Sequence, residues 1–112
     1  MANVTKVEHF KVSPKLVHQR VRGEHHEHRM PGNPKFDRIL AKSKKSGFHE
    51  KTITIDVNPQ GQAHIADGNT HAAVGAALGV KKMKAKVRYH GGSEKLLSAR
   101  KLKKRLAVRR SK

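Results

Sequence analysis

The chain has no cysteine, no tryptophan, one tyrosine (Tyr89) and three phenylalanines (Phe10, Phe36, Phe48). The missing cysteine excludes disulfides, thiolate metal sites and cysteine nucleophiles, and it suits a reducing compartment. The scarcity of aromatics leaves Val, Ile, Leu and Ala to build the core, and it argues against single-strand binding by base stacking. No apolar run is long enough to cross a bilayer. The N-terminal "MANVTKVEHF" has no apolar stretch of the secretory kind, so a cytoplasmic setting is expected.

Acid is scarce as well. The 112 residues hold 26 Lys and Arg against 8 Asp and Glu, a formal charge of +18. Residues 81–112 carry 14 of those bases and one acid, Glu94, for +13; residues 1–80 carry the other 12 against seven acids, for +5. Such an excess points to a polyanionic partner, and the lopsided distribution places the contact toward the C-terminal end.

A chain of this length makes one domain of modest core. The division expected is a folded unit over residues 1–92 and a basic helix or tail over 93–112. "VEHFKV" (7–12) alternates loosely as a strand, and 15–22 reads as a second extended piece. Asn33 and Pro34 open a helix with the apolar stripe Phe36, Ile39 and Leu40, and Gly47 closes it. "KTITIDV" alternates strictly, "NPQG" (58–61) makes a turn, and "QAHIA" (62–66) returns as the partner strand. A small-residue helix follows over 69–78, and then an alternating strand over 82–89. Ser93 is expected to cap a last helix with Leu96, Ala99, Leu102 and Leu106 as its apolar stripe. The fold class is α/β (α+β), a small mixed sheet with packed helices.

Between strand and helix stands "ADGNTHAA". Gly68 permits a sharp turn and close approach of a ligand, and a helix N-terminus presents unpaired N–H groups and a positive dipole end. Asn69, Thr70 and His71 add side-chain donors. The corner therefore suits an anion, with Gly68, Asn69, Thr70 and His71 as the phosphate-binding set. "GEHHEHR" (23–29) is dense in His and Glu, and reads either as an exposed polar loop or as a site for a divalent ion. His49 and Glu50 are further candidates near the corner.

The order of these pieces, with "KSGF", "ITIDV", "AHIADGNTHAAVGAALGV" and "MKAKVRY", resembles the ParB/sulfiredoxin fold family over roughly residues 35–90. Many members carry Asp-Gly-His-His-Arg or Asp-Gly-His-Thr-Arg at this corner. The resemblance implies phosphate binding there, to a nucleotide or a nucleic acid. Asp67 and Gly68 match by position, Thr70 matches the Thr variant, Asn69 replaces His, and His71 replaces Arg. Arg is always charged, whereas His is charged only in mild acid, so the binding implied is weaker than in those members, or pH-dependent. The cysteine beside the corner in sulfiredoxin is absent, which excludes that activity. Partition proteins continue into a helix-turn-helix region, so a stand-alone ParB-like nuclease domain of phage or mobile-element type is the nearer likeness. It implies Asp67 and His71 as catalytic residues, with Glu27, or Glu24, supplying a further carboxylate.

Lys82, Lys84, Lys86 and Arg88 share one face of a strand, and Arg100, Lys101, Lys103, Lys104, Arg105, Arg109 and Arg110 crowd the last helix. Such contacts to phosphate give affinity without sequence information, so sequence-tolerant DNA binding is expected. Three functions stay open. The chain is a DNA-binding nuclease using Mg2+ or Mn2+, a non-catalytic protein that coats DNA, or a small nucleotide-dependent enzyme.

Overall fold

The structure is a computed structural model and describes residues 3–23, 32–48 and 51–106. The first strand, β1 (Val4–Val12), runs into a helix, α1 (Pro14–Arg20). This corrects the extended reading of 15–22. Val17 and Val21 favour a strand by their branching, but Ser13 and Pro14 form a cap-and-first-turn pair. The Ser13 hydroxyl accepts a hydrogen bond from the Leu16 N–H at 3.4 Å, and Val17 is buried one turn on. A two-residue strand follows, β2 (Arg22–Gly23).

The second helix, α2 (Pro34–Ser46), starts and stops where expected. The Asn33 side chain accepts from the N–H groups of Lys35 and Phe36, and Gly47 leaves the helix at φ 90°. Next come β3 (Ile53–Val57) and β4 (Ala63–Asp67), an antiparallel pair whose turn is closed by the Gly61 N–H donating to the Asn58 carbonyl at 2.8 Å. Then α3 (Asn69–Ala77) crosses over to β5 (Met83–His90), which lies parallel to β3. A 3₁₀ turn (Ser93–Lys95) precedes the last helix, α4 (Ala99–Leu106).

Strand order is β1-β5-β3-β4-β2, with antiparallel and parallel pairings alternating across the sheet. The alternation read from the sequence sets which face is buried. Ile53, Ile55 and Val57 of β3, with Met83, Ala85, Val87 and Tyr89 of β5, turn inward against Val17, Ala72, Leu102 and Leu106. The core is aliphatic, with Tyr89 the one aromatic buried in the sheet itself. A second cluster joins α2 to α3 through Phe36, Ala73 and Val74, with Ile39, Leu40 and Leu78 around them. Close approach needs small residues here. A Cβ on Gly75 would stand 3.2 Å from the Met83 sulfur and 3.3 Å from Pro14 Cβ.

The C-terminal segment differs from expectation in detail. Ser93 does not cap α4; it is fully buried, and its hydroxyl donates to the Val57 carbonyl at 3.0 Å and accepts from the His90 N–H at 3.2 Å. Ser98 takes the capping role, accepting from the Lys101 N–H at 3.3 Å. Leu97 is buried, while Leu96 is 59% exposed. Leu102 and Leu106 keep their expected inward phase, and the Leu106 carbonyl accepts from the Ser13 N–H at 2.7 Å. The molecule measures 42 × 39 × 19 Å, a slab of one sheet and one helical layer.

Candidate phosphate site and cationic surfaces

The corner begins with a slip in register. Between Thr54 and Ile55 the β3–β4 ladder shifts, so that Asp67 stands opposite Thr54 while Ile65 stands opposite Ile55. Gly68 then takes φ 85° and ψ 13°, a left-handed turn that favours glycine. It is also tightly enclosed, since a Cβ there would come 3.2 Å from Ile53 Cα. Turn and enclosure together direct α3 away from the end of β4. No side chain at Gly68 caps the helix, so the first-turn N–H groups of α3 keep the polarity that attracts anions.

His71, in that first turn, is half-buried. Burial holds its imidazole below the ordinary value of 6.5, the Lys51 and Lys35 charges push the same way, and Asp67 opposes them. The ring is therefore neutral at pH 7 in the absence of a bound anion. Asp67 is exposed, and its carboxylate accepts from the Lys51 ammonium at 3.2 Å. Thr70 is buried, and Asn69 half-buried.

Beside the corner lies a cleft of about 400 Å³ between α2 and α3, lined by Lys35, Arg38, Ile39, Lys42, Ser43 and His71. Lys35, Arg38 and Lys42 fall at i, i+3 and i+7, one face of α2. The hydrophobic contacts of α2 with α3 turn that face toward His71. Three cations and a helix N-terminus thus converge on one concavity. The sequence reading did not name these three residues, although their helical spacing was the available signal.

On the open side of β3 and β5, Asp56 holds two partners. Arg88 donates to its two carboxylate oxygens at 2.6 and 2.8 Å, and His90 Nε2 lies 3.1 Å away. Burial raises the Asp56 carboxyl, but the hydrogen bonds and charges of Arg88 and His90 outweigh it and leave the group below its ordinary value. The guanidinium of Arg88 is engaged in this pair.

The basic residues read as one nucleic-acid surface fall on two sides of the slab. Lys84, Lys86 and Arg88 alternate with the buried residues of β5, so they project from the sheet face that carries no core. Lys82 is exposed just before that strand. Arg100, Lys101, Lys103, Lys104 and Arg105 are exposed on α4, in the helical layer. Glu24, His25, His26, Glu27, His28, His49, Glu50, Arg109 and Arg110 lie outside the described residues.

Among the described residues, no three His, Asp or Glu side chains gather as a metal site. Asp67, tied to Lys51, and His71 alone do not make a donor set for Mg2+ or Mn2+. Nor is any described helix long and apolar enough to cross a membrane.

No protein-family model matches the chain, and no curated protein matches it. Among solved structures it is similar to a crystal form of a Pnob8-like ParB-N domain, with 12% sequence identity and a TM-score of 0.42. The match covers 94% of this chain, which spans 38% of the length of that solved chain.

Proposed function

We propose that this protein is a ParB-like domain that binds DNA through its phosphates, with the Asp67–His71 corner seating one phosphate group. The observation that carries this reading is the cleft in which Lys35, Arg38 and Lys42 face His71 and the start of α3. Three fixed cations beside helix N–H groups offer both charge and hydrogen bonds to a dianion. A phosphate in the cleft would also draw a proton onto His71, because a nearby negative charge favours imidazolium. The excess of Lys and Arg supplies the polymer's long-range attraction, which is steep in salt and tolerant of sequence.

Binding is better supported than cleavage. Asp67, the carboxylate of the corner, is already held by Lys51 at 3.2 Å, and the neutral His71 is a poor partner for a developing negative charge. That pairing favours a DNA-coating role as the second reading, ahead of a nuclease or a nucleotide-dependent enzyme.

The test compares wild type with His71→Arg in duplex binding at pH 6 and pH 8. Wild-type affinity should fall between the two, and the Arg variant should hold its affinity at pH 8. A variant that behaves as wild type at both pH values would remove His71 from the site. Plasmid nicking in Mg2+ or Mn2+ that is abolished by Asp67→Ala, with affinity kept within about tenfold (about 1.4 kcal/mol), would reinstate cleavage.

A further inference from the structure

We propose that the outer edge of β1 is self-complementary, and that a second copy of this chain pairs with it antiparallel, joining two five-stranded sheets into one. The two ends of the strand order differ. One is β2, two residues long; the other is β1, nine residues long and free of proline. A long edge offers its backbone donors and acceptors to another chain, and a very short one does not. Among the described residues no strand pairs with the outer side of β1. Three large apolar side chains are exposed among the described residues, and two of them, Val4 and Val7, lie on this strand.

The strand's own sequence, VTKVEHFKV, selects both the occupant and the register. A two-fold axis normal to the sheet keeps both helical layers on one side, so residues set opposite one another must share a face. Lys6 and Glu8 do share a face. They stand opposite Tyr89 and Val87, which turn to the core, and their charged groups lie 3.1 Å apart. Val7 stands opposite Arg88, on the open face. An axis through Val7 sets Lys6 opposite Glu8 of the second copy, Glu8 opposite its Lys6, and Val7 against Val7. An axis through Lys6 or Glu8 sets like charge on like charge, which disfavours a strand pair. An axis through His9 sets Lys6 opposite Val12 and Glu8 opposite Phe10, with no charge matched. The charges that guard this edge against other strands thus admit its own copy in one register.

The pairing keeps the Lys6–Glu8 contact within each copy and makes it half of a four-charge cluster. The β1–β5 ladder shifts between Val4 and Lys6, and the bend there limits the new ladder to residues 5–9. So short a ladder, between copies that each carry +18, makes a weak, concentration-dependent dimer.

Sedimentation velocity on the full chain across a concentration series reads the dimer dissociation constant. Roughly 0.15 M salt screens charges more than about 8 Å apart. Wild type should pass from monomer to dimer. Lys6→Glu and Glu8→Lys should each weaken the dimer at least tenfold, since each sets like charges opposite one another twice. An equimolar mixture of the two variants should recover a dimer, because one strand then carries two acids and the other two bases. A role of the ion pair within one chain does not produce that recovery. A wild type that stays monomeric, variants that leave the constant unchanged, or a mixture that does not recover overturns the proposal. If either variant fails to fold, single cysteines in this cysteine-free chain decide the matter. On oxidation with diamide, Val7→Cys should cross-link to its own copy, since Cβ atoms opposed across paired strands lie about 5 Å apart. His9→Cys should not, because its two copies are offset by four residues, about 14 Å. Any other pattern of cross-linking overturns the proposal.

Discussion

Replacing Leu102 by Ala removes three carbons from a side chain that is fully buried, on a helix whose surface is otherwise Lys and Arg. The transfer cost is about 0.8 kcal/mol per buried carbon, or roughly 2.4 kcal/mol. An unfilled cavity adds to that, and buried Leu→Ala changes elsewhere fall between about 2 and 5 kcal/mol, so about 3 kcal/mol is the working figure. The neighbours argue against easy collapse of the hole, because the strands behind it are held by ladder hydrogen bonds and Leu106 is anchored through its carbonyl to Ser13. At roughly 4 °C per kcal/mol for a domain of this size, the melting temperature should fall by about 12 °C. The assay is thermal unfolding followed by circular dichroism, with Leu96→Ala as control. Leu96 is 59% exposed, and its loss should cost under about 0.5 kcal/mol. If Leu102→Ala melts within 2 °C of wild type, by the order of magnitude above, α4 contributes little to the core and residues 93–112 behave as a separable tail.

Ile55→Asp or Val87→Asp should abolish cooperative unfolding, since each puts an unpaired charge at a position with no exposure, at a cost comparable to the stability of a small domain; a sigmoidal melt near the wild-type temperature would refute the strand phases. Acid should act in two stages. His71 has a lowered value in the folded state, so the stability it contributes is complete above about pH 6.5 and is lost as pH falls through that lowered value. Asp56 is also lowered, so its contribution is complete above about pH 3.8 and is lost at still more acid pH. Urea midpoints measured across this range should lose the upper stage in His71→Gln and the lower one in Asp56→Asn, and a variant that keeps its stage refutes the assignment.

The stretch from Ile53 to His90 was legible because its alternation and its turn residues agree with the tertiary structure. Ile53, Ile55 and Val57 face inward as their period requires, Asn58 to Gly61 turn, and Gly68 bends where a left-handed residue was available. Other segments were decided by contacts that no local pattern records. Val17 and Val21 look like strand residues, yet the Ser13 cap and burial against the sheet make them helical and cap positions. Ser93 looks like a helix cap, but Val57 takes its hydroxyl from 36 residues away. The corner itself was visible as a motif. Its cleft was not, because Lys35, Arg38 and Lys42 meet His71 only through the docking of α2 on α3. The basic residues of β5 and α4 form a single charge run along the chain, and they fall on opposite layers because β5 alternates about the sheet while α4 packs on its covered face.

The most direct test of the phosphate corner is an NMR titration of the full chain, labelled with nitrogen-15, against inorganic phosphate at pH 6.5. The account predicts saturable shifts centred on the backbone amides of Gly68, Asn69, Thr70 and His71. The His71 ring should gain a proton, and the response should be lost in the Lys35→Glu, Arg38→Glu double variant. Shifts confined to the lysines of β5 and α4, with Gly68 to His71 unmoved, would contradict it and reduce the corner to a structural turn.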